Sequence, residues 1–208
     1  MKLLIFGATG RTGQELVQQA LAANHEVTAF VRDPARVSSR DPRLQIVQGN
    51  VREAGSLAQS VAGQDAVISA LGTSKGSGDD FMTVASTNIV AAMRQAGVRR
   101  LIWQSGAGVQ DEGDGPSPVR NVMVVLLKLL SPKVYADSIR TFEIIKHSGL
   151  DWTVVRVPRL KDGPQPAPVH ATFVPPGATP ISRADVARFM LEQLNSTQYA
   201  GKAPMISY

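Results

Sequence analysis

The sequence predicts an α/β fold, a doubly wound parallel sheet in a single domain spanning 1–208. Three observations carry that prediction. Short apolar runs alternate with stretches of helical spacing. The runs are continuously apolar rather than alternating, as strands buried on both faces should be. The first run also passes directly into a helical pattern through "GATGRTG" (7–13), with a glycine at every third position. Regular alternation of strand and helix calls for parallel pairing with crossover helices.

Taken in order, the expected strands are Leu3–Phe6, Val27–Val31, Leu44–Val47, Ala66–Ala70, Leu101–Trp103 and Trp152–Val157. Helical spacing covers 12–23, 53–62, 80–96, 134–148 and 183–195. Asp80 stands where an N-cap belongs, and Gly97 and Gly149 stand where helices should end. Two stretches break the rhythm. Residues 106–133 read as a loop followed by a helix apolar nearly all round, and residues 158–180 hold seven of the thirteen prolines. Both follow expected strands, so both belong at the carboxyl edge of the sheet, where ligands bind in such folds. They are the expected walls of a substrate pocket, and for 118–130 plain core packing is the competing reading.

Composition narrows the function classes. With no cysteine in the chain, disulfides, thiolate metal sites and cysteine nucleophiles are excluded, which suits a reducing cytoplasm. His25, His147 and His170 lie far apart without ligand spacing, so no metal is expected. The most apolar internal run, Val122 to Leu127, is broken by Lys128 and ends at Leu130, too short to span a bilayer. The first residues already read as a core strand rather than a leader. A cytoplasmic protein without a membrane partner is therefore expected. The net charge of +5 raises nucleic acid as a partner, but the cations are scattered and only 5% of residues are aromatic, so none is expected. A polyphosphate cofactor accounts for the bias as well. Monomer and weak dimer both remain open.

The glycine triplet then becomes specific. One glycine is enough for a tight turn, and three are not needed for it. Between a first strand and a first helix, Gly7 permits the sharp turn, Gly10 lets the backbone approach a pyrophosphate, and Gly13 lets helix and strand pack closely. Amides of the helix N-terminus, over Thr9, Arg11 and Thr12, would hold the phosphates. This is a Rossmann-like dinucleotide site, with the spacing G-x-x-G-x-x-G. At the end of the second strand an NAD site wants a carboxylate. "FVRDPAR" instead offers Arg32 and Arg36, two guanidinium groups suited to the 2′-phosphate of NADP(H). Asp33 is the competing reading for NAD, although before Pro34 it suits a turn cap. "GNV" (49–51), with Asn50 and Val51, should border the adenine, Ala70, Leu71 and Gly72 the inner ribose, and Ser105 the nicotinamide.

The sequence resembles the atypical short-chain dehydrogenase/reductases, NmrA-like, and within them the biliverdin reductase B/flavin reductase group. The resemblance runs nearly end to end, through "IFGATGRTG", "EVTAFVRDPARV", "VAGQDAVISALGT", "NIVAAMRQAGV", "IRTFEIIKHSGL" and "FMLEQL". It implies an NADPH reductase acting on flavins and, in some members, on linear tetrapyrroles. The departures are informative. The Tyr-x-x-x-Lys pair of ordinary short-chain dehydrogenases is absent, since Ile139 and Ala203 stand four residues after Tyr135 and Tyr199, and Tyr208 is the final residue. Where the flavin reductase group has a Thr-Ser pair and pocket histidines, this sequence has Ser105-Gly106, Ser138 and Arg159. A catalytic-type serine is thus lost or shifted by one position. Arg159 stays charged and cannot donate a proton at neutral pH, but it can hold an anionic group of the substrate.

The expected function is hydride transfer from NADPH to a flat conjugated acceptor such as a free flavin, with a bilin or quinone as further candidates. Ser105 and Ser138 are available to hydrogen-bond a carbonyl of that acceptor. The alternative is a non-catalytic NmrA-like sensor that binds NADP(H) and changes partner.

Overall fold

The computed structural model describes residues 1–74, 76–163, 168–174 and 179–208, with the side chains of all of these except Val119, Arg120 and Met123. The strands are β1 Lys2–Phe6, β2 Glu26–Val31, β3 Leu44–Gln48, β4 Ala66–Ser69, β5 Arg100–Gly106, β6 Asp151–Val157, β7 Leu160–Lys161, β8 His170–Thr172, β9 Ile181–Ser182 and β10 Met205–Ser207. The helices are α1 Arg11–Ala22, α2 Ala58–Val61, α3 Phe81–Ala96, α4 Pro118–Leu130, α5 Pro132–Lys146 and α6 Arg183–Glu192.

The main sheet runs β3-β2-β1-β4-β5-β6-β10-β8, parallel from β3 through β10 with an antiparallel β8 at the edge. β7 and β9 form a separate parallel pair. The continuously apolar strands are explained by two cores, one on each face. Successive side chains point to opposite faces, so Leu4 and Phe6 join a core with α3 and α5, and Leu3 and Ile5 join one with α1 and α6. The chain leaves β1 towards β2 and β3, then returns to lay β4 on the other side of β1. That reversal opens a crevice at the carboxyl ends of β1 and β4.

The six expected strands and the long helices are present, with ends moved by one to three residues, the largest shift among the strands being that of β5, which runs on to Gly106. The expected helix over 53–62 is shorter, a 3-10 turn at Ala54–Ser56 followed by the four residues of α2. The expected 183–195 helix passes into a 3-10 turn at Gln193–Asn195. Gly97 ends α3 in the left-handed conformation, φ 71°. Asp80 does not cap that helix with its side chain. The buried carboxylate of Asp137, on α5, accepts from the backbone N–H of Met82 at 2.9 Å and of Thr83 at 3.0 Å. Asp80 instead accepts from Arg52 at 3.0 Å, and that bond lowers its carboxyl pKa. A cap supplied from 55 positions away is a tertiary contact that no local pattern announces.

α4 is neither core nor pocket wall over most of its length. Val124 is buried, but Val122, Val125, Leu126, Leu129 and Leu130 are exposed. The reason lies in the preceding loop. Arg156, 0% exposed, forms a bidentate ion pair with Asp114, 2% exposed, at 2.5 and 2.6 Å, and donates to the carbonyls of Val109 and Ala203. The loop 107–117 is thereby tied to β6.

Candidate functional site

The β1–α1 turn uses its glycines in two different ways. Gly7 has φ +78°, and a Cβ there would lie 2.7 Å from the backbone of Ala70. A Cβ on Gly13 would overlap the carbonyl oxygen of Gly7. Both are therefore demanded by the protein's own packing, because turn, helix and the end of β4 meet at backbone distance. Gly10 differs. It is exposed, has ordinary φ (−77°), and a Cβ there would meet only the Gly7 oxygen at 3.2 Å. The protein packs against Gly10 only lightly, and the residue lines the groove.

That groove runs over Gly7, Thr9 and Gly10, across the end of β2, to Gly49, Val51 and the segment Ala70–Gly72. The first turn of α1, which follows directly on Gly10, holds no acidic residue, so nothing in that turn competes with an anion for the free amides. Thr12 is buried in the same turn. Gly49 opens the "GNV" stretch (49–51) expected to border the adenine. A Cβ there would run into the ring of Phe30, and both residues line the groove. Asn50 lies beside the groove rather than in its lining. Its side chain donates to Glu53 and accepts from the N–H of Arg52, both at 3.1 Å, so it fixes its own turn.

Arg32 and Arg36 both line the far end of the groove and are exposed. Among the described residues neither forms an ion pair. Asp33 caps the 3-10 turn Pro34–Arg36, accepting from the Ala35 N–H at 3.1 Å. Its carboxylate thus serves the turn that presents Arg36.

A second cavity, of about 390 Å³, continues from the first through the shared residues Leu71 and Gly72. This volume suits a small-molecule site. β5 supplies Trp103, Gln104, Ser105 and Gly106, α5 supplies Val134, Ser138 and Thr141, and α6 supplies Arg183. Ser105 is half-buried, and the Ser138 hydroxyl donates to the Val134 carbonyl at 2.9 Å. Gln104 and Thr141 each carry a buried oxygen without a hydrogen-bond partner among the described residues. Both were missed at the sequence level. The signal for Gln104 was the polar residue that interrupts "LIWQSG".

Arg159 is exposed and is not among the lining residues. The pocket's cation is Arg183, the first residue of α6, which is held at 2.6 Å by Asp162. Asp162 also receives Arg11 at 3.0 Å, and Arg11 is not among the residues that line either cavity. Of the expected walls, Gly106 from 106–133 and Pro158 and Leu160 from 158–180 line the cavity. Residues 164–167 and 175–178 of that second wall lie outside the described residues.

None of the three tyrosines lines either cavity. Burial, followed by its hydrogen bond to Asp185, pushes the Tyr208 hydroxyl above the ordinary range. This is the opposite of what a proton-donating Tyr-Lys pair requires.

The chain matches the NAD(P)H-binding family over residues 7–197. It belongs to that family. The match agrees with the resemblance to atypical short-chain dehydrogenase/reductases and with the cradle geometry of the first turn. An uncharacterized chloroplastic protein of Arabidopsis thaliana is 33% identical over 93% of this chain and 71% of its own length. A 3-diazoavenalumate denitrifying reductase of a Streptomyces species is 35% identical over 50% of this chain, an alignment that spans only 38% of that enzyme. Among solved structures, an anaerobilin reductase from Escherichia coli O157:H7 superposes with a TM-score of 0.81 at 20% identity, covering 99% of this chain and 96% of its own. A Veillonella parvula short-chain dehydrogenase/reductase in complex with NADP gives 0.77 at 19% identity, covering 100% and 94%. At these identities the structures establish a shared fold. No helix among the described residues is long and apolar enough to cross a membrane.

Proposed function

We propose that the protein is an NADPH-dependent reductase that reduces a flat, conjugated small molecule, with a free flavin as the first candidate and a bilin or quinone as others. The observation that carries this reading is the composition of the second cavity. Apart from the guanidinium of Arg183, its lining among the described residues contains no ionisable side chain. A carbonyl or alcohol substrate needs a positioned proton donor, whereas a reduced flavin or quinone takes its proton from water. NADPH supplies the hydride when bound. The chain's own contribution is to orient the two rings in adjoining cavities and to exclude water between them.

NADPH over NADH is supported by Arg32 and Arg36, which face the groove without internal partners among the described residues, while Asp33 is engaged in its turn. The apolar floor of Trp103, Met82 and Val157 suits a planar acceptor, and Ser105 and Ser138 offer hydroxyls to its carbonyls. Arg183 suits an anionic substituent such as a flavin phosphate or a bilin propionate. The anaerobilin reductase of the same fold is named for a conjugated substrate of this kind.

The test is steady-state oxidation of NADPH, followed by its absorbance, with riboflavin, FMN, a short-chain quinone and biliverdin as acceptors. Turnover above the enzyme-free background with at least one acceptor is expected. The same absence of a proton donor also fits a non-catalytic NADP(H) sensor. Tight NADPH binding with no acceptor reduced would select that reading.

A further inference from the structure

The outward face of α4 is apolar, which is unusual for a helix on a water-soluble surface. Val122, Val125, Leu126, Leu129 and Leu130 follow i, i+3, i+4, i+7, i+8 spacing and so form one stripe. Their exposure ranges from 50% at Leu126 to 80% at Leu130. The inward side of the helix is occupied differently. Val124 is buried, and a Cβ built on Gly108 would lie 2.5 Å from Leu127. The stripe therefore does not belong to the fold's own core. A contiguous row of large aliphatic side chains in water marks a surface that is covered in use.

Charge indicates by what. From Gly115 to Ala136 the only charged residues are Arg120, Lys128 and Lys133, with no Asp or Glu. Lys133 reaches Asp79 at 2.7 Å, and this bond raises its pKa. Lys128 is exposed, sits 5.5 Å from the centre of the Tyr135 ring, and has no acidic partner among the described residues. A second copy of the chain would bury the stripe against itself but would bring no carboxylate of this segment to the exposed Lys128. A peptide helix would want a groove, and both cavities described above are lined by other residues, Val134 excepted. An anionic lipid surface answers both features at once, accepting aliphatic side chains below the headgroups and the exposed Lys128 among them. With thirteen residues, α4 is far too short to cross a bilayer and suits lying in its plane.

Position adds a further reason. Val134, 45% exposed, extends the apolar surface beyond Leu130 and also lines the second cavity. The stripe and the mouth of that cavity are thus continuous.

We propose that α4 is an interfacial helix that docks the protein on an anionic lipid bilayer, with the mouth of the second cavity turned towards the lipid. Docking of this kind delivers amphiphilic small molecules to the cavity from the membrane side. The proposal stands independently of which acceptor is reduced.

The test is flotation of the full chain with phosphatidylcholine vesicles, with and without phosphatidylglycerol. Binding to the anionic vesicles is expected, weakening as salt is raised. Leu126→Gln/Leu129→Gln should reduce it at least tenfold with NADPH affinity unchanged. Lys128→Gln should reduce it about fivefold, the factor that one cation near such a surface supplies. Because Lys128 is exposed, this variant decides the matter even where the double variant is poorly folded. Absence of binding to anionic vesicles would overturn the proposal, as would binding that neither variant weakens. A wild-type dimer that the double variant makes monomeric, with no flotation of either, would assign the stripe to a second copy instead.

Discussion

Replacing Arg32 with Ala separates the two coenzymes. The guanidinium is exposed and, among the described residues, bonds to no other side chain, while the bond that Gln48 donates to the Arg32 carbonyl survives the truncation. Loss of the side chain therefore leaves no buried charge behind, and stability should change by no more than about 0.5 kcal/mol. A hydrogen bond between charged groups contributes about 1.5–3 kcal/mol, and solvent exposure places this one at the lower end. The dissociation constant for NADPH should rise about tenfold. NADH lacks the 2′-phosphate, so its affinity should stay within about twofold. Arg36→Ala should act in the same direction, and the double variant should fall short of the product of the two because they share one phosphate. Raising salt should shrink the gap, since the site is open to screening at a Debye length of about 10 Å in 0.1 M salt. Calorimetric or fluorescence titration with both coenzymes measures all of this. Equal weakening for NADPH and NADH, or unchanged NADPH affinity, would refute the argument from the unpaired guanidinium groups.

Gly10→Val should abolish coenzyme binding while leaving the thermal midpoint within a few degrees of the parent, because the protein itself meets a Cβ there only at the Gly7 oxygen, 3.2 Å away. A folded variant with intact affinity would show that the groove is not the coenzyme site. Ser105→Ala should slow turnover only by the worth of one hydrogen bond, about 0.5–1.5 kcal/mol, whereas a general acid would be worth 10²–10⁴-fold; a loss in that larger range at unchanged coenzyme affinity would identify Ser105 as a proton donor. Arg183→Ala should raise KM for FMN more than for riboflavin, and a uniform rise would count against recognition of the phosphate. Asp114→Ala should destabilise the fold by about 3 kcal/mol in urea unfolding. That is the low end for breaking a buried ion pair, because the carbonyls of Val109 and Ala203 still receive Arg156; a cost below about 1 kcal/mol would mean that the loop is held by other contacts.

Much of the cofactor half of the site was legible in the sequence because its determinants are local. Gly7, Gly10 and Gly13 lie within seven consecutive positions, and Arg32 and Arg36 lie within a turn of one another. The turn chemistry of Asp33-Pro34 was legible for the same reason. The continuous apolar runs required two-faced burial, and the two cores on either side of the sheet satisfy it. β7, β8, β9 and β10, of two or three residues each, were not legible, since a periodic signal needs more positions than they have.

The acceptor half depended on contacts between distant parts of the chain. Arg183 and Arg159 are the same residue type, and only the pairing of β7 with β9 and the hold of Asp162 put Arg183 rather than Arg159 at the cavity. Asp137 reads as one polar residue in a helix until α5 packs on α3 and its carboxylate meets two orphan amides. The hydrophobicity of 118–130 was plain from the sequence, but its direction was not. The buried Arg156–Asp114 pair ties down the preceding loop, and with it the apolar face of α4 is left in solvent. The sequence by itself determined the sheet, the glycine turn after β1 and the placing of two arginines beyond β2, because neighbouring residues specify backbone conformation directly. Only the tertiary structure decided what lines the second cavity and which way α4 faces, because burial is a property of surfaces that meet after the chain has folded.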